Sequence, residues 1–360
     1  MKKLMSIMLA VLLVGVPVFA GGSSDQGSGG SKKDVVVVFI PKISGNAFFE
    51  VANEGAQKLA KQVGFTVKYD GSPDAAVANQ VNIINNAIQQ GADAISISTV
   101  DAAGVDQALK AARKAGIAVM TWDSDSNPDA RQLMTSQGTP DILGKMLIDM
   151  GVASLKERGK NPDSDVIKYC WHYSQATVTD QNSWRVAGEA YIRQKYPKWV
   201  NVAPDNYYSN QDAERAITVG EAVLSAHKDI DLIICNDSTA LPGQCQAAQN
   251  KGLTMKDVTI TGFCTPSGMT AYLDAGILER WGLWDCGVQG ALGCYFAAYL
   301  AAGNTIKAGD TINVPGIGDV KTVPNSDLVA GAETAPENNG VVLLPERVVF
   351  TKDNVKDYNF

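Results

Sequence analysis

The sequence predicts an α/β protein built from two doubly wound lobes, each with a parallel sheet. Strand and helix patterns alternate from residue 34 onward, and glycines punctuate the helix ends. The strand at 35–40 is a continuous apolar, β-branched run, which is typical of a strand buried on both faces. The chain has 360 residues, a length that suits about two domains of ~150 residues.

The first run of elements lies before residue 125. It consists of strands at 35–40, 65–69, 94–98 and 117–122, with helices at 47–63, 80–90 and 105–115 between them. Such short connections between strand, helix and strand require right-handed crossovers and therefore parallel sheets.

The second run follows a loop. Its predicted strands are at 166–171, 200–203, 232–235 and 258–262, with helical segments between them. Residues 304–340 are rich in Gly, Pro, Asn and Asp, which predicts loops with short strands. A strand pattern returns at 341–350, interrupted by Pro345.

The N-terminus has the pattern of a secretory signal peptide. Lys2 and Lys3 precede an uncharged apolar stretch at 4–20, and Val18-Phe19-Ala20 fits a small-x-small cleavage site. A membrane anchor is the alternative, but the stretch is short and contains Pro17. We therefore expect a signal peptide at 1–20, a flexible linker at 21–33, and export to a periplasmic or other extracytoplasmic space. A lipid anchor is not supported, because no cysteine stands at the cleavage point.

Composition excludes several classes of function. The formal net charge is −7 from 31 basic and 38 acidic residues, and removal of the two N-terminal lysines makes it −9, which argues against nucleic acid or an anionic membrane as a partner. The chain has six cysteines but no C-x-x-C pair, and it has only two histidines, so we do not expect a structural metal site. We expect buried thiols, no metal and no cofactor.

Motifs for catalysis or phosphate binding are missing from the sequence. No G-x-G-x-x-G or P-loop follows a strand, and there is no H-E-x-x-H or G-x-S-x-G. Gly287, Gly290 and Gly293 recur every three residues in an apolar helical stretch, which favours close helix packing. We therefore expect no catalytic residues and no enzymatic activity.

Short polar groups follow the predicted strands instead. Because parallel α/β folds bind ligands at the carboxyl ends of their strands, these groups are the candidate site. The groups contain Lys42, Asp123, the segments 177–182 and 236–238, and Trp284 with Asp285. One cation, several carboxylates, amides and aromatic rings suit a neutral, polyhydroxylated ligand.

Five of the candidates have a structural alternative. Asp180 could serve only as a helix N-cap, and Asp125, followed by Pro128, could shape a hinge. Trp122 and Trp284 could be core residues. Lys42 would be a surface lysine in most settings, but it comes directly after a buried strand.

Eight segments of the chain together resemble one known family. They are FIPK at 39–42, TWDSD at 121–125, QGTP at 137–140, TVTDQN at 177–182, ALP at 240–242, GLWD at 282–285, PGIG at 315–318 and LLPERVVF at 343–350. The sequence from about residue 36 to 360 resembles the autoinducer-2-binding proteins, which belong to the type I, ribose-binding-like class of periplasmic solute-binding proteins.

The resemblance implies two α/β domains joined by three hinge crossings, with a ligand between lobes that close by bending. One lobe would combine 34–124 with about 264–342. The other would combine about 125–263 with 343–360. A rhamnose-binding relative shares some of the segments.

The resemblance also assigns ligand contacts. They are Lys42, Asp123, Asp180, Gln181, Asn236 and Ser238, with supporting candidates Phe48, Phe49, Trp122, Asp125, Trp284 and Asp285. The family has Pro-Asp-Ala where this chain has 236–238, so two contact positions have changed. Either main-chain groups make those contacts, or the new side chains favour a different polyol.

Three functions compete at this point. The first is a receptor for autoinducer-2, in its borate-free cyclic tetrahydroxy form, that delivers it to the membrane permease of an ABC importer, with a chemoreceptor as a further candidate partner. The second is a rhamnose- or pentose-type sugar receptor of such an importer. The third is an exported sugar-acting enzyme, for which no acid–base pair can be placed.

Overall fold

The computed structural model describes residues 34–360. The predicted signal peptide and linker lie outside the described residues. Within them, the alternation of strands and helices follows the sequence pattern closely: the predicted helix at 47–63 is observed as Ala47–Val63, with Gly64 in the left-handed conformation at its C-cap. The predicted strand at 232–235 is likewise observed as Leu232–Cys235.

The larger sheet has eight strands in the order β12-β13-β14-β5-β4-β3-β1-β2. Its strands are β1 (Val36–Ile40), β2 (Thr66–Tyr69), β3 (Ala94–Ile97), β4 (Ala118–Trp122), β5 (Leu133–Ser136), β12 (Thr311–Val314), β13 (Gly318–Val323) and β14 (Gly340–Leu343). The six strands from β2 to β14 are parallel, and β13 and β12 add an antiparallel edge.

Four helices flank the larger sheet: α1 (Ala47–Val63), α2 (Val77–Gln89), α3 (Ala102–Lys114) and α9 (Cys286–Ala301). Helices α1 and α9 approach very closely, as the glycine spacing in α9 predicts. A Cβ on Gly290 would lie 2.1 Å from the Ala52 carbonyl oxygen, and one on Gly55 would lie 2.0 Å from that of Gly287. The glycines of α9 therefore serve helix packing.

The smaller sheet has the order β10-β9-β6-β7, and β8 also pairs with β6. Its strands are β6 (Lys168–Tyr173), β7 (Val200–Asn201), β8 (Tyr207–Tyr208), β9 (Leu232–Cys235) and β10 (Thr259–Gly262), and all its pairings are parallel. The helices associated with it are α4 (Pro140–Glu157), α5 (Thr179–Lys195), α6 (Ala213–Ala226), α7 (Ala240–Asn250) and α8 (Pro266–Asp274).

A two-stranded antiparallel ribbon completes the fold, pairing β11 (Trp281–Leu283) with β15 (Val348–Phe350). Strands β5 and β11 are absent from the sequence prediction, because runs of four and three residues are too short to show a period. The strand pattern predicted at 341–350, interrupted by Pro345, is observed as two strands in different sheets, since proline cannot donate to a ladder.

The predicted fold class, two doubly wound parallel sheets with helices between their strands, is confirmed. In each sheet the strand order reverses once, between β1 and β3 in the larger and between β6 and β9 in the smaller. Such switch points open a crevice at the carboxyl ends of the strands, where ligands bind in α/β folds. Within residues 34–360, no helix combines the length and the hydropathy needed to span a membrane.

Candidate functional site

One cavity lies where the carboxyl ends of the two sheets face each other, and its volume is about 30 Å³. Its lining combines charged, amide and aromatic side chains: Lys42, Phe48, Phe49, Asp123, Asp180, Gln181, Trp184, Gln211, Asn236, Asp237, Ser238, Phe263, Leu283 and Trp284. All six residues that the sequence predicts as ligand contacts are among them.

The larger sheet contributes an ion pair. Lys42 follows β1, and its Nζ lies 2.7 Å from Oδ2 of Asp123, which follows β4. Ser98, at the end of β3, donates a hydrogen bond of 2.7 Å to the same oxygen. The Asp123 backbone is left-handed, with a φ of 59°, an uncommon conformation that turns the chain sharply after β4. Both charged side chains are almost completely buried.

Asp180 reaches this pair from the first turn of α5. Its Oδ1 lies 3.7 Å from the Lys42 Nζ and accepts a hydrogen bond from Ser124. Gln137 donates to both acidic residues, at 3.1 Å to the Asp123 carbonyl and 3.4 Å to Asp180 Oδ2. Asp180 is not the N-cap of α5, since Val178 occupies that position. Its carboxylate is directed at the lysine instead.

The smaller sheet supplies an amide network. The Gln181 Nε2 donates to Asp237 Oδ2 at 3.2 Å, and the Ser174 hydroxyl donates to Gln181 Oε1. Asn236, directly after β9, donates from Nδ2 to the Gln181 carbonyl at 2.7 Å. The other Asp237 oxygen accepts from the backbone N–H groups of Thr239 and Ala240, as an N-terminal cap does.

The cavity holds more negative than positive groups. Burial by itself lowers the pKa of Lys42, but the carboxylates of Asp123, Asp180 and Asp237 together outweigh it and hold that pKa above its ordinary value. Burial, and then the negative charge of Asp123, raise the pKa of Asp180 to about 6 against the effect of Lys42. Burial also raises the pKa of Asp237.

Aromatic rings form the apolar wall. Trp184, Phe263 and Trp284 contact one another edge to face, with centroids 5.4 to 5.8 Å apart. Phe48 meets Trp284 in the same manner at 5.9 Å. Such rings pack against the C–H faces of a small ring compound while the polar wall binds its hydroxyl groups.

Three of the supporting candidates lie outside the cavity lining. Trp122 stacks behind Phe48 at 6.4 Å and is fully buried, so it supports the wall from the core. Asp125 forms a two-point ion pair with Arg131. Asp285 caps α9 by accepting from the Val288 N–H at 2.8 Å. The other supporting candidates, Phe48, Phe49 and Trp284, line the cavity.

Sequence reasoning missed five lining residues. Asp237 lies inside the candidate segment 236–238 but is not among the contacts that the resemblance assigns, and Phe263 directly follows β10, so the strand-end rule covers both. Leu283 ends β11, which is too short to be predicted. Trp184 lies one turn after Asp180 on α5, on the same helix face. Gln211 gives no such signal, because β8 before it is only two residues long.

Among residues 34–360 there is no cluster of three or more His, Cys, Asp or Glu side chains that could hold a metal ion. The six cysteines are buried and free. Burial raises the pKa of the Cys264 thiol to about 12, so this thiol stays protonated near neutral pH.

Asp180 is expected to make stability depend on pH. Between its ordinary pKa of 3.8 and the raised value of about 6, the folded protein binds more protons than the unfolded chain, so stability falls as pH rises through this window. Asp180→Asn cannot titrate. Relative to the parent protein, it should therefore gain roughly 3 kcal/mol of unfolding free energy between about pH 4 and pH 7, measured by denaturant unfolding.

Because the variant is compared with the parent protein, the contributions of the other titrating groups to the pH dependence cancel. Burial lowers the pKa of His172 to about 4, which gives the opposite slope, and burial with the neighbouring Glu157 raises that of Glu279 to about 6. Both remain in the variant, so their effects cancel. Glu279→Gln is the matched control, because it removes the other carboxyl whose pKa is raised to about 6, and this carboxyl is less buried than that of Asp180. A difference between Asp180→Asn and the parent that does not change with pH would contradict the expectation.

A polar cavity at the facing switch points of two parallel sheets, lined by an ion pair, amides and aromatic rings, defines a solute-binding protein. The model of the periplasmic binding protein domain matches residues 37–305. The chain belongs to this family, as the sequence resemblance predicts.

Solved structures and curated relatives agree with that assignment. LsrB from Clostridium saccharobutylicum in complex with AI-2 is 65% identical, covers 91% of this chain and 100% of its own, and superimposes with a TM-score of 0.90. An ABC transporter solute-binding protein from Clostridium phytofermentas with bound L-rhamnose is 24% identical over 91% of this chain and 99% of its own, with a TM-score of 0.80, and shows the fold alone. The ribose import binding protein RbsB of Bacillus subtilis is 23% identical over 73% of this chain and 81% of its own length.

Proposed function

We propose that this protein captures autoinducer-2, in its borate-free cyclic tetrahydroxy form, and delivers it to an ABC importer. The observation that carries the proposal is the Lys42–Asp123–Asp180 cluster inside a small cavity, in a chain 65% identical to an LsrB solved with AI-2. The six residues proposed as ligand contacts, Lys42, Asp123, Asp180, Gln181, Asn236 and Ser238, all face this cavity.

The chemistry of the cluster suits a ligand rich in hydroxyl groups. A carboxylate oxygen accepts hydrogen bonds from ligand hydroxyls, and the ammonium of Lys42 donates to ligand oxygens. The opposite charges of Lys42 and Asp123 lie 2.7 Å apart and balance each other, and the hydroxyl groups of a neutral ligand can donate to the carboxylates that remain. The aromatic wall then packs on the less polar face of the ring.

We propose the two lobes that the resemblance implies, with two changes to the bounds of 34–124 plus about 264–342 and about 125–263 plus 343–360. Strand β5 belongs with the larger sheet, because it pairs with β4 and β14, and helix α8 belongs with the smaller sheet, because it packs against α7. The described conformation supports a clamp, since Asn46 at the start of α1 contacts two residues at the start of α7. The Ser238 hydroxyl donates to Asn46 Oδ1 at 3.4 Å, and Asn46 Nδ2 donates to the Thr239 hydroxyl at 3.3 Å. Ligand held by both sides would keep the lobes together.

The wider assignment follows from this function. The signal peptide at 1–20 would export the chain to the periplasm or another extracytoplasmic space. The partners would be the membrane permease of the importer and, as a further candidate, a chemoreceptor that reads the closed form. A carrier of this kind releases its ligand unchanged, so we propose a binding protein and not an enzyme.

We expect autoinducer-2 to stabilise and compact the protein. At a ligand concentration of 100 times Kd, the unfolding free energy should rise by roughly 2.7 kcal/mol, since only the folded state binds. Titration calorimetry measures Kd, and small-angle scattering should show a smaller radius of gyration with ligand.

The same titrations with L-rhamnose and D-ribose test the competing sugar receptor. Tight binding of either sugar without binding of autoinducer-2 would contradict the proposed ligand and leave the clamp intact. Recovery of a chemically altered ligand after incubation would instead favour the enzyme.

A further inference from the structure

Gln211 occupies a strained position beside the cavity. The Ser209 and Asn210 N–H groups donate to the carbonyls of Tyr173 and Ser174, at 2.9 and 2.8 Å, which extends β8 alongside the end of β6. Asn210 and Gln211 then both adopt left-handed backbone conformations, with φ values of 53° and 58°. The chain turns there, and Asp212 caps α6 immediately afterwards.

The left-handed conformation is unusual for glutamine. Asparagine tolerates it because its short side chain bonds locally, whereas a longer side chain has no such compensation. Strained residues of this kind persist where the surrounding structure enforces them, and they cluster at ligand sites. At Gln211 the result is a side chain turned inward to line the cavity, with only 5% of its surface exposed.

The Gln211 amide has an unused donor. Its Nε2 is buried and has no hydrogen-bond partner within the described protein. Asn236, on the same cavity wall, presents the complementary group: its Nδ2 is committed to the Gln181 carbonyl, and its buried Oδ1 has no partner. Buried polar groups without partners are rare and costly in native proteins, unless a ligand supplies the partner.

We propose that Gln211 is a specificity-determining residue that donates a hydrogen bond from Nε2 to a ligand oxygen, while Asn236 Oδ1 accepts one from a ligand hydroxyl. This inference rests on the proposed function and deepens it. It assigns to the smaller sheet a neutral donor and acceptor, distinct from the charged groups of the larger sheet. Polyols that place a hydroxyl against this wall are selected, because analogues without it leave both amides unpaired.

Two substitutions at Gln211 separate ligand contact from structural support. Gln211→Met keeps the size of the side chain but cannot donate, and should weaken autoinducer-2 binding about 10-fold or more. Gln211→Gly removes the side chain and suits the positive φ, so it should weaken binding similarly while the ligand-free melting temperature stays equal or rises. A merely structural glutamine would show the reverse, a lower melting temperature with unchanged affinity.

Asn210→Gly is the matched control. It introduces glycine at the adjacent left-handed residue, whose side chain is exposed, and should leave affinity within about 2-fold. If the parent protein binds autoinducer-2 and Gln211→Met binds it equally well, the inference is overturned and the proposed function stands. If the parent protein binds L-rhamnose or D-ribose instead, the proposed function fails. If Gln211→Met then binds that sugar as tightly as the parent protein does, the inference is overturned as well. Binding of none of the three overturns both.

Discussion

Lys42→Met is expected to weaken autoinducer-2 binding at least about 100-fold, the largest effect on affinity that we predict. Lys42 is the one cation that lines the cavity within residues 34–360, and it faces Asp123 and Asp180 at 2.7 and 3.7 Å. Methionine fills the space but leaves these carboxylates buried and uncompensated. Methionine also removes the ammonium that would donate to the ligand; truncating one partner of a buried, hydrogen-bonded charge pair at a binding site costs about 2–5 kcal/mol of binding free energy, and each 1.4 kcal/mol is about tenfold in affinity.

Two further variants define the origin of the effect. Lys42→Met combined with Asp123→Asn removes the unpaired charge with its partner, so the double variant should bind better than Lys42→Met alone by about 1 kcal/mol or more. Lys61→Met, at an exposed lysine of α1, should leave binding unchanged. Titration calorimetry on all variants provides the comparison. Affinity of Lys42→Met within about threefold of the parent would remove the lysine from the proposed site.

The strand-end rule explains why much of this site could be predicted from the sequence. Lys42, Asp123 and Asn236 each lie within two residues of the carboxyl end of a strand, and each of these strands is recognisable in the sequence as an apolar run. Asp180 and Gln181 begin a helix directly after another such strand, so topology alone brings the five side chains to one crevice. The same hydrophobic pattern predicts the order of strands and helices from β1 to β4 as the structure has it, with bounds that differ by a few residues.

The remaining features depend on contacts that no period records. Gln211 follows a two-residue strand and enters the cavity only through two left-handed residues. Asp125, which the resemblance placed near the ligand, is instead held by Arg131 six residues later. Nothing in the spacing of the segment TWDSD distinguishes the aspartate that faces the cavity from the one that faces the core.

The Asp125–Arg131 pair belongs to a fully buried network that ties distant parts of the larger sheet together. Arg131 contacts Asp125 through Nε at 3.0 Å and through a terminal nitrogen at 2.8 Å. Its other terminal nitrogen donates to Asn325 Oδ1 at 2.8 Å and to the Gly340 carbonyl at 3.0 Å. The hydroxyl of Thr121 donates to the same aspartate at 2.6 Å. One guanidinium therefore joins the turn after β4 to the start of β14.

Arg131→Met is expected to destabilise the folded protein by about 3–5 kcal/mol, because it leaves the Asp125 carboxylate, the Asn325 oxygen and the Gly340 carbonyl buried without their donor. Denaturant unfolding measures the loss. Asp125→Leu combined with Arg131→Met removes the charge together with its partner and should recover most of it, since well-packed apolar replacements of buried ion pairs are often neutral. Neither residue lines the cavity, so autoinducer-2 affinity of the double variant should stay within about threefold of the parent. Unchanged stability of Arg131→Met would show that the network is dispensable, and a large loss of affinity in the stable double variant would return Asp125 to the ligand site.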